Sequence, residues 1–160
     1  MKEVINLLDG SNTALRRILN ELRPTILDQH GLLDALQWHA RQFTSVSNIP
    51  LEIKTAEKEI RVRDEIATCI FRVFQESLTN ITRYSEAKKV VTFIEISNDS
   101  IIIEITDDGK GFDTASEQPK SRQPFGILGM KERVRALHGK FELLSAPGKG
   151  TKIHISLPLQ

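Results

Sequence analysis

The chain has 160 residues, of which 39% are hydrophobic and 27% charged, with a formal net charge of +1. This composition fits one folded domain with an additional helical element and excludes disorder of the chain as a whole. Lys and Arg are interspersed with Asp and Glu, so no sustained basic face offers itself to a phosphate backbone, and nucleic acid is not an expected partner.

Cys69 is the single cysteine, which leaves no internal disulfide and no cysteine metal cluster and suits a reducing compartment. It lies in an apolar helical pattern and reads as a small core residue. No apolar run approaches the length of a membrane span, and Met-Lys-Glu-Val lacks the apolar core of a signal peptide. The chain as given therefore reads as cytoplasmic, without membrane contact.

From Lys2 to about Phe43 the pattern is helical. Val4, Leu8, Ser11, Leu15, Ile18 and Leu22 recur in coiled-coil fashion, with Gly10 weakening the middle of the seam. Pro24 breaks this helix, and a second is expected from near Asp28, carrying Leu32, Leu33, Leu36 and Trp38. The seam fits a helix pair or dimer as well as packing on the domain that follows. The texture changes after "SVSNIP", which divides the chain into a helical segment, 1–45, and a second domain, 46–160.

In that second domain "LEIKTA" reads as a strand, and Asp64 starts a helix reaching about Tyr84. "VVTFIEIS" and "SIIIEIT" read as strands joined by a turn at Asn98-Asp99. "TASEQPKSRQP" is polar, rich in turn formers and expected to be mobile. A helix around Leu128 to Leu137 ends at Gly139, and "KFELLSA" and "TKIHISLPL" close the chain as strands around "PGKG". Ile153, Ile155 and Leu157 alternate with Lys152, His154 and Ser156, the mark of a sheet covered on one face. The expected fold is α+β, a two-layer sandwich of a mixed sheet with helices on one face.

Two features suggest chemistry. In the helix from Asp64, Ile66, Ile70, Val73, Phe74, Leu78 and Ile81 share the buried side, while Arg72, Glu76, Thr79, Asn80 and Arg83 lie on another arc. Asn is a poor mid-helix residue, and Glu76 one turn away lets two oxygens address one space. The second feature is "ITDDGKGFD", two carboxylates followed by Gly109 and Gly111 at the end of a strand. Taken alone it reads as a tight turn, since Asp-Gly pairs supply positive φ at little cost. Side by side, the two segments would present hard oxygen ligands suited to Mg²⁺, a guanidinium for phosphate, and glycines that let a flat ring approach the backbone. "FGILGM" adds Gly126 and Gly129 at a helix start, where free N–H groups favour anions. No P-loop signature is present.

These segments resemble a known family. "FQESLTNITRYSEA" is similar to the N box, "DDGKGF" to the G1 box and "FGILGMKERV" to the G2 box of the ATP-binding domain shared by histidine kinases, gyrase-type topoisomerases and related ATPases. "GKGTKIHISLPL" resembles the strand that ends that domain, and "LRPTILDQHGLLDALQWHARQF" the linking stretch of nitrate-sensor-type histidine kinases.

The resemblance implies ATP and Mg²⁺ as cofactors. It makes Asn80 the Mg²⁺ ligand, with Glu76 orienting water or acting as a weak base. Asp107 would accept a hydrogen bond from the adenine amino group, and Thr151 would support that contact. Gly109 and Gly111 would shape the floor beside the adenine, Gly126 and Gly129 would let a lid close, and Arg83 would stand where the family often has Lys. Tyr84 replaces the usual His of the N box.

The resemblance also implies transfer of the γ-phosphoryl to a histidine of a dimerisation domain, onward transfer to a response regulator, and a homodimer in the full-length protein. Nothing before Leu22 matches a phosphoacceptor motif, and His30, His39, His138 and His154 lack the expected acidic neighbour, so the chain reads as a fragment beginning inside the second dimerisation helix. The competing readings are an anti-sigma-factor-type serine kinase, against which the "LRP" segment speaks, and a non-catalytic dimerising module.

Overall fold

The computed structural model describes residues 25–97, 99–114 and 125–160. The seam from Val4 to Leu22, Asn98 of the hairpin turn, and all of "TASEQPKSRQP" after Thr114 lie outside the described residues. Helix α1 (Thr25–Ser47) is followed by β1 (Leu51–Thr55), α2 (Asp64–Asn80), a π-helical turn (Ile81–Ser85), β2 (Val90–Ile96), β3 (Ser100–Asp107), α3 (Phe125–Ala136), β4 (Lys140–Ser145) and β5 (Thr151–Pro158).

The strands form one sheet in the order β1-β2-β3-β5-β4. β1 pairs parallel with β2, and every other pairing is antiparallel. The expected alternation holds: Ile153, Ile155 and Leu157 are buried with Ile101, Ile103 and Ile105 of β3 and Val90 and Ile94 of β2. The opposite face carries exposed Phe93 and a polar row in which Glu104 pairs with Lys152 (2.9 Å) and His154 (3.2 Å). The helices cover only the apolar face, giving the two-layer mixed-sheet sandwich.

The apolar arc of α2 is buried throughout, from Ile66 to Leu78, with Ile81 just beyond. Phe71 and Cys69, on a different arc, are buried too, because α1 closes over α2 from outside. The His39 ring lies 5.6 Å from Phe71 and 6.0 Å from Phe74. Leu32, Leu33, Leu36, Ala40 and Phe43 of α1 thus join the same core as the sheet.

Three boundaries differ from the sequence reading. α1 is already helical at Thr25, the first described residue, rather than from near Asp28, and is interrupted at Gly31, whose φ of 77° and ψ of 179° only glycine adopts readily. α2 does not run as one α-helix to Tyr84. Ser77, Thr79, Thr82 and Ser85 each donate a side-chain hydrogen bond to the carbonyl four residues earlier, at 2.7–2.9 Å. Such bonds compete with the backbone ladder, and the chain widens into the π turn that ends at left-handed Glu86 (φ 56°). α3 ends on left-handed His138 rather than on Gly139, with His138 N–H bonded to the Arg135 carbonyl and Gly139 N–H to that of Val134. Gly139 is required for another reason: a Cβ there would stand 2.6 Å from Leu157 Cδ2.

Candidate functional site

Between α2, α3 and the ends of β3, β4 and β5 lies a cavity of about 610 Å³. Its floor is apolar, from Ile105, Ile153, Phe141 and Leu143 on the sheet, and its α3 wall is Ile127 and Leu128. Set into this surface are Asn80 from the end of α2, Asp107 from the end of β3, and Thr151 from the start of β5. An apolar slot with a few fixed polar groups suits a flat heterocycle that must be read at one edge.

Asp107 is only 4% exposed. Burial pushes its carboxyl above the ordinary carboxylate range, opposed by the Gly109 N–H at 2.8 Å and reinforced by the adjacent Asp108 charge; the N–H and hydroxyl of Thr151 also favour the ionised form. One buried carboxylate on an apolar floor is a strong and directional hydrogen-bond acceptor.

Its neighbour Asp108 does a different job. Its Oδ1 accepts from the backbone N–H groups of Lys88 (2.7 Å) and Lys89 (2.9 Å), tying the β3 end to the chain entering β2. Those N–H bonds, that of Lys89 first, hold its carboxyl below the ordinary range.

The glycines divide similarly. Gly111, at φ 60°, lines the cavity and lies against the Ala146 carbonyl, where a Cβ would collide. Gly109 is buried beneath the cavity, and a Cβ on it would strike the Ser85 carbonyl and stand 2.7 Å from Asp107 Oδ1. It therefore brings its N–H to Asp107 rather than forming the cavity wall. Gly126 abuts Glu76, whose Oε1 a Cβ would strike, while Gly129 faces Arg133 at 3.3 Å from the same construction. Glu76, Arg83, Gly109, Gly126 and Gly129 are not among the cavity-lining residues; Arg83 is exposed on the π turn, and Lys110 and Lys131 are the lysines on the lining.

Two further residues shape the site. Gly150 (φ 68°) crosses so close to the Asp107 carbonyl that no Cβ fits, yet in sequence it is one more turn glycine. Lys131 is one turn after Ile127 on α3 and so reaches the same wall, a placement its helical spacing contained.

Among the described residues no three His, Cys, Asp or Glu side chains are grouped to hold a metal ion. A lone amide oxygen at Asn80 suits a hard cation that takes its remaining ligands from water and phosphate.

Residues 65–160 match the family described as histidine kinase-, DNA gyrase B-, and HSP90-like ATPase. The chain is 32% identical over 159 residues to the signal transduction histidine-protein kinase/phosphatase DegS of Brevibacillus brevis, with 99% of this chain and 40% of that protein covered. It is 34% identical over 140 residues to DegS of Bacillus subtilis, covering 86% of this chain and 36% of that protein. Sensor histidine kinase LiaS of Bacillus subtilis is 30% identical over 159 residues, 99% of this chain and 43% of that protein. The chain thus spans about two fifths of the length of these curated relatives. Among solved structures, the histidine kinase domain of the Erythrobacter litoralis EL346 blue-light activated histidine kinase superposes with a TM-score of 0.65 at 20% identity, over 78% of this chain and 59% of that one. That likeness is one of fold.

Proposed function

The chain belongs to the histidine kinase-, DNA gyrase B-, and HSP90-like ATPase family, and from that premise we propose that it is the ATP-binding catalytic part of a two-component sensor histidine kinase of the nitrate-sensor type. The observation that carries the proposal is the convergence of Asn80 and Asp107, from different elements, on one apolar-floored cavity.

In this reading the Asp107 carboxylate accepts a hydrogen bond from the adenine amino group, with Thr151 steadying the contact. Guanine presents a carbonyl at that edge and is refused. Asn80 offers its amide oxygen to Mg²⁺, which when bound supplies charge neutralisation at the phosphate oxygens. Glu76, one turn before Asn80, holds a water or accepts a proton beside it, and Arg83 and Lys131 add positive charge around the phosphates. Gly111 keeps a side chain off the base, and Gly109 holds its N–H on the Asp107 carboxylate that reads it. Gly126 and Gly129 allow the start of α3 to approach the nucleotide.

The phosphoryl acceptor is a histidine on a dimerisation domain of the longer protein, which acts as a homodimer and passes the phosphoryl group to an aspartate of a response regulator. This part of the reading is supported by the relatives' description as a signal transduction histidine-protein kinase/phosphatase and a sensor histidine kinase, each more than twice the length of this chain.

Titration with a non-hydrolysable ATP analogue, with and without Mg²⁺, tests the site. Asn80→Ala is expected to weaken Mg²⁺-dependent binding about tenfold, the scale of one charge-assisted contact, and to leave metal-free binding unchanged. Asp107→Asn is expected to lower affinity in both conditions. Unaltered affinity in both variants overturns the assignment. Adding a separately made phosphoacceptor helix domain with ATP should yield acid-labile phosphate; acid-stable phosphate on serine would instead favour a serine kinase.

A further inference from the structure

We infer that Ser145 is a positioning residue for adenine recognition, its hydroxyl linking the loop after Gly111 to Thr151 and through Thr151 to the Asp107 carboxylate. The inference rests on the proposed reading of Asp107.

Strand register places these groups in a row. Ser145, the last residue of β4, is the direct cross-strand partner of Thr151, and Thr151 is the direct partner of Asp107 on the other side. Direct partners share a face of the sheet, so three side chains from three strands line up at the cavity end. The Ser145 Oγ accepts the Phe112 N–H at 2.9 Å and has the Gly150 carbonyl at 2.8 Å and Thr151 Oγ1 at 3.1 Å.

Counting protons constrains the direction of the row. Ser145 and Thr151 have one hydroxyl proton each. The Thr151 hydroxyl favours the ionised form of Asp107, which only accepts, and a Thr151 proton turned to that carboxylate cannot also be donated to Ser145. Thr151 Oγ1 is then left as an acceptor, and the Ser145 proton is divided between it and the Gly150 carbonyl. Phe112 N–H to Ser145 Oγ is the fixed start of the row, and the charge on Asp107 orders its end. A side chain at 145 must therefore both accept and donate, which serine and threonine do and alanine does not.

Ser145→Ala removes the side-chain acceptor that ties down the Phe112 N–H and frees the Thr151 hydroxyl to rotate away from Asp107. Phe112 and Thr151 both line the cavity, so the loss falls on the end of the site that reads the base.

The test uses the 160-residue chain and compares ATP with GTP. Wild type should prefer ATP. Ser145→Ala should lower ATP affinity about tenfold and leave GTP affinity unchanged, collapsing the preference, and Ser145→Thr should restore it. Loosening of the Thr151 hydroxyl, which favours the ionised form of Asp107, should also move the acid limb of ATP binding to higher pH. Equal weakening of both nucleotides, which a general loosening of the β4–β5 turn would cause, overturns the inference, as does an unchanged preference. A wild-type chain with no ATP preference would overturn the reading of Asp107 itself, and the inference with it.

Discussion

Asp107 and Asp108 are adjacent in sequence and opposite in thermodynamic sign. Burial raises the Asp107 pKa, so the folded state binds its proton more tightly than the unfolded state. Its contribution to stability is full below the ordinary value of 3.8 and is lost as pH rises through the elevated folded value. At neutral pH the nucleotide-free protein therefore bears a cost for keeping Asp107 ionised, and Asp107→Asn should be at least as stable as wild type. Asp108 behaves in reverse: backbone N–H groups depress its pKa, so its contribution is present above 3.8 and is lost as pH falls through the lower folded value. Asp108→Ala should cost about 1 kcal/mol at neutral pH, discounted for its exposure, with ATP affinity little changed. Thermal unfolding of both variants at several pH values, with and without nucleotide, checks the pair. A wild-type chain at a hundredfold excess over the dissociation constant should gain about 2.7 kcal/mol from ATP, and Asp107→Asn should not. A destabilised Asp107→Asn would show that the carboxylate supports the fold rather than the ligand.

At the scale of elements, the patterns set by hydrophobic period were legible and those set by hydroxyl groups were not. Ile66 to Ile81 and Ile153 to Leu157 occupy the faces that their spacing predicts, because burial selects one stripe of a helix and alternate residues of a strand. The end of α2 was not legible, since four Ser and Thr side chains bonding back to carbonyls reshape the ladder locally. For the same reason Ser145 escaped notice: a single serine has no period, and its role exists only once β4, β5 and β3 are aligned. Asn80 stands out in sequence because Asn is disfavoured within a helical pattern, although α2 ends at it, whereas Asp107 stands in a stretch that taken alone is a turn and is singled out only beside the helix stripe. Thr92 is another hydroxyl in an apolar stripe. It is fully buried on the inner face of β2, and its Oγ1 has no hydrogen-bond partner among the described residues. Thr92→Val should stabilise the chain by about 1 kcal/mol by removing a desolvated hydroxyl. A higher urea midpoint at unchanged slope would bear this out, and a lower midpoint would reveal a partner for the hydroxyl.

For the whole molecule, the stretch that matches the ATPase family, 65–160, is smaller than the unit that shares one core. α1 lies outside that stretch yet supplies Leu27, Leu32, Leu33, Leu36 and Phe43, all buried. Burying a large apolar side chain is worth about 1.5–3 kcal/mol, and whole domains are stable by only about 5–15 kcal/mol. A chain trimmed to residues 49–160 should therefore lose its fixed tertiary packing, with Phe71 and Phe74 uncovered on α2. Near-ultraviolet circular dichroism and binding of a hydrophobic dye measure this; a trimmed chain with a native spectrum and an unchanged unfolding midpoint would show that α1 is an attachment rather than part of the core. The consequence for function runs through α2, which buries Phe71 and Phe74 against His39 of α1 and carries Asn80 to the cavity at its other end. A displacement of α1 by the segment that precedes it would change what α2 packs against, and α2 holds the proposed metal ligand. The trimmed chain tests this as well: any fraction that stays folded should bind the ATP analogue without the Mg²⁺ dependence of the intact chain.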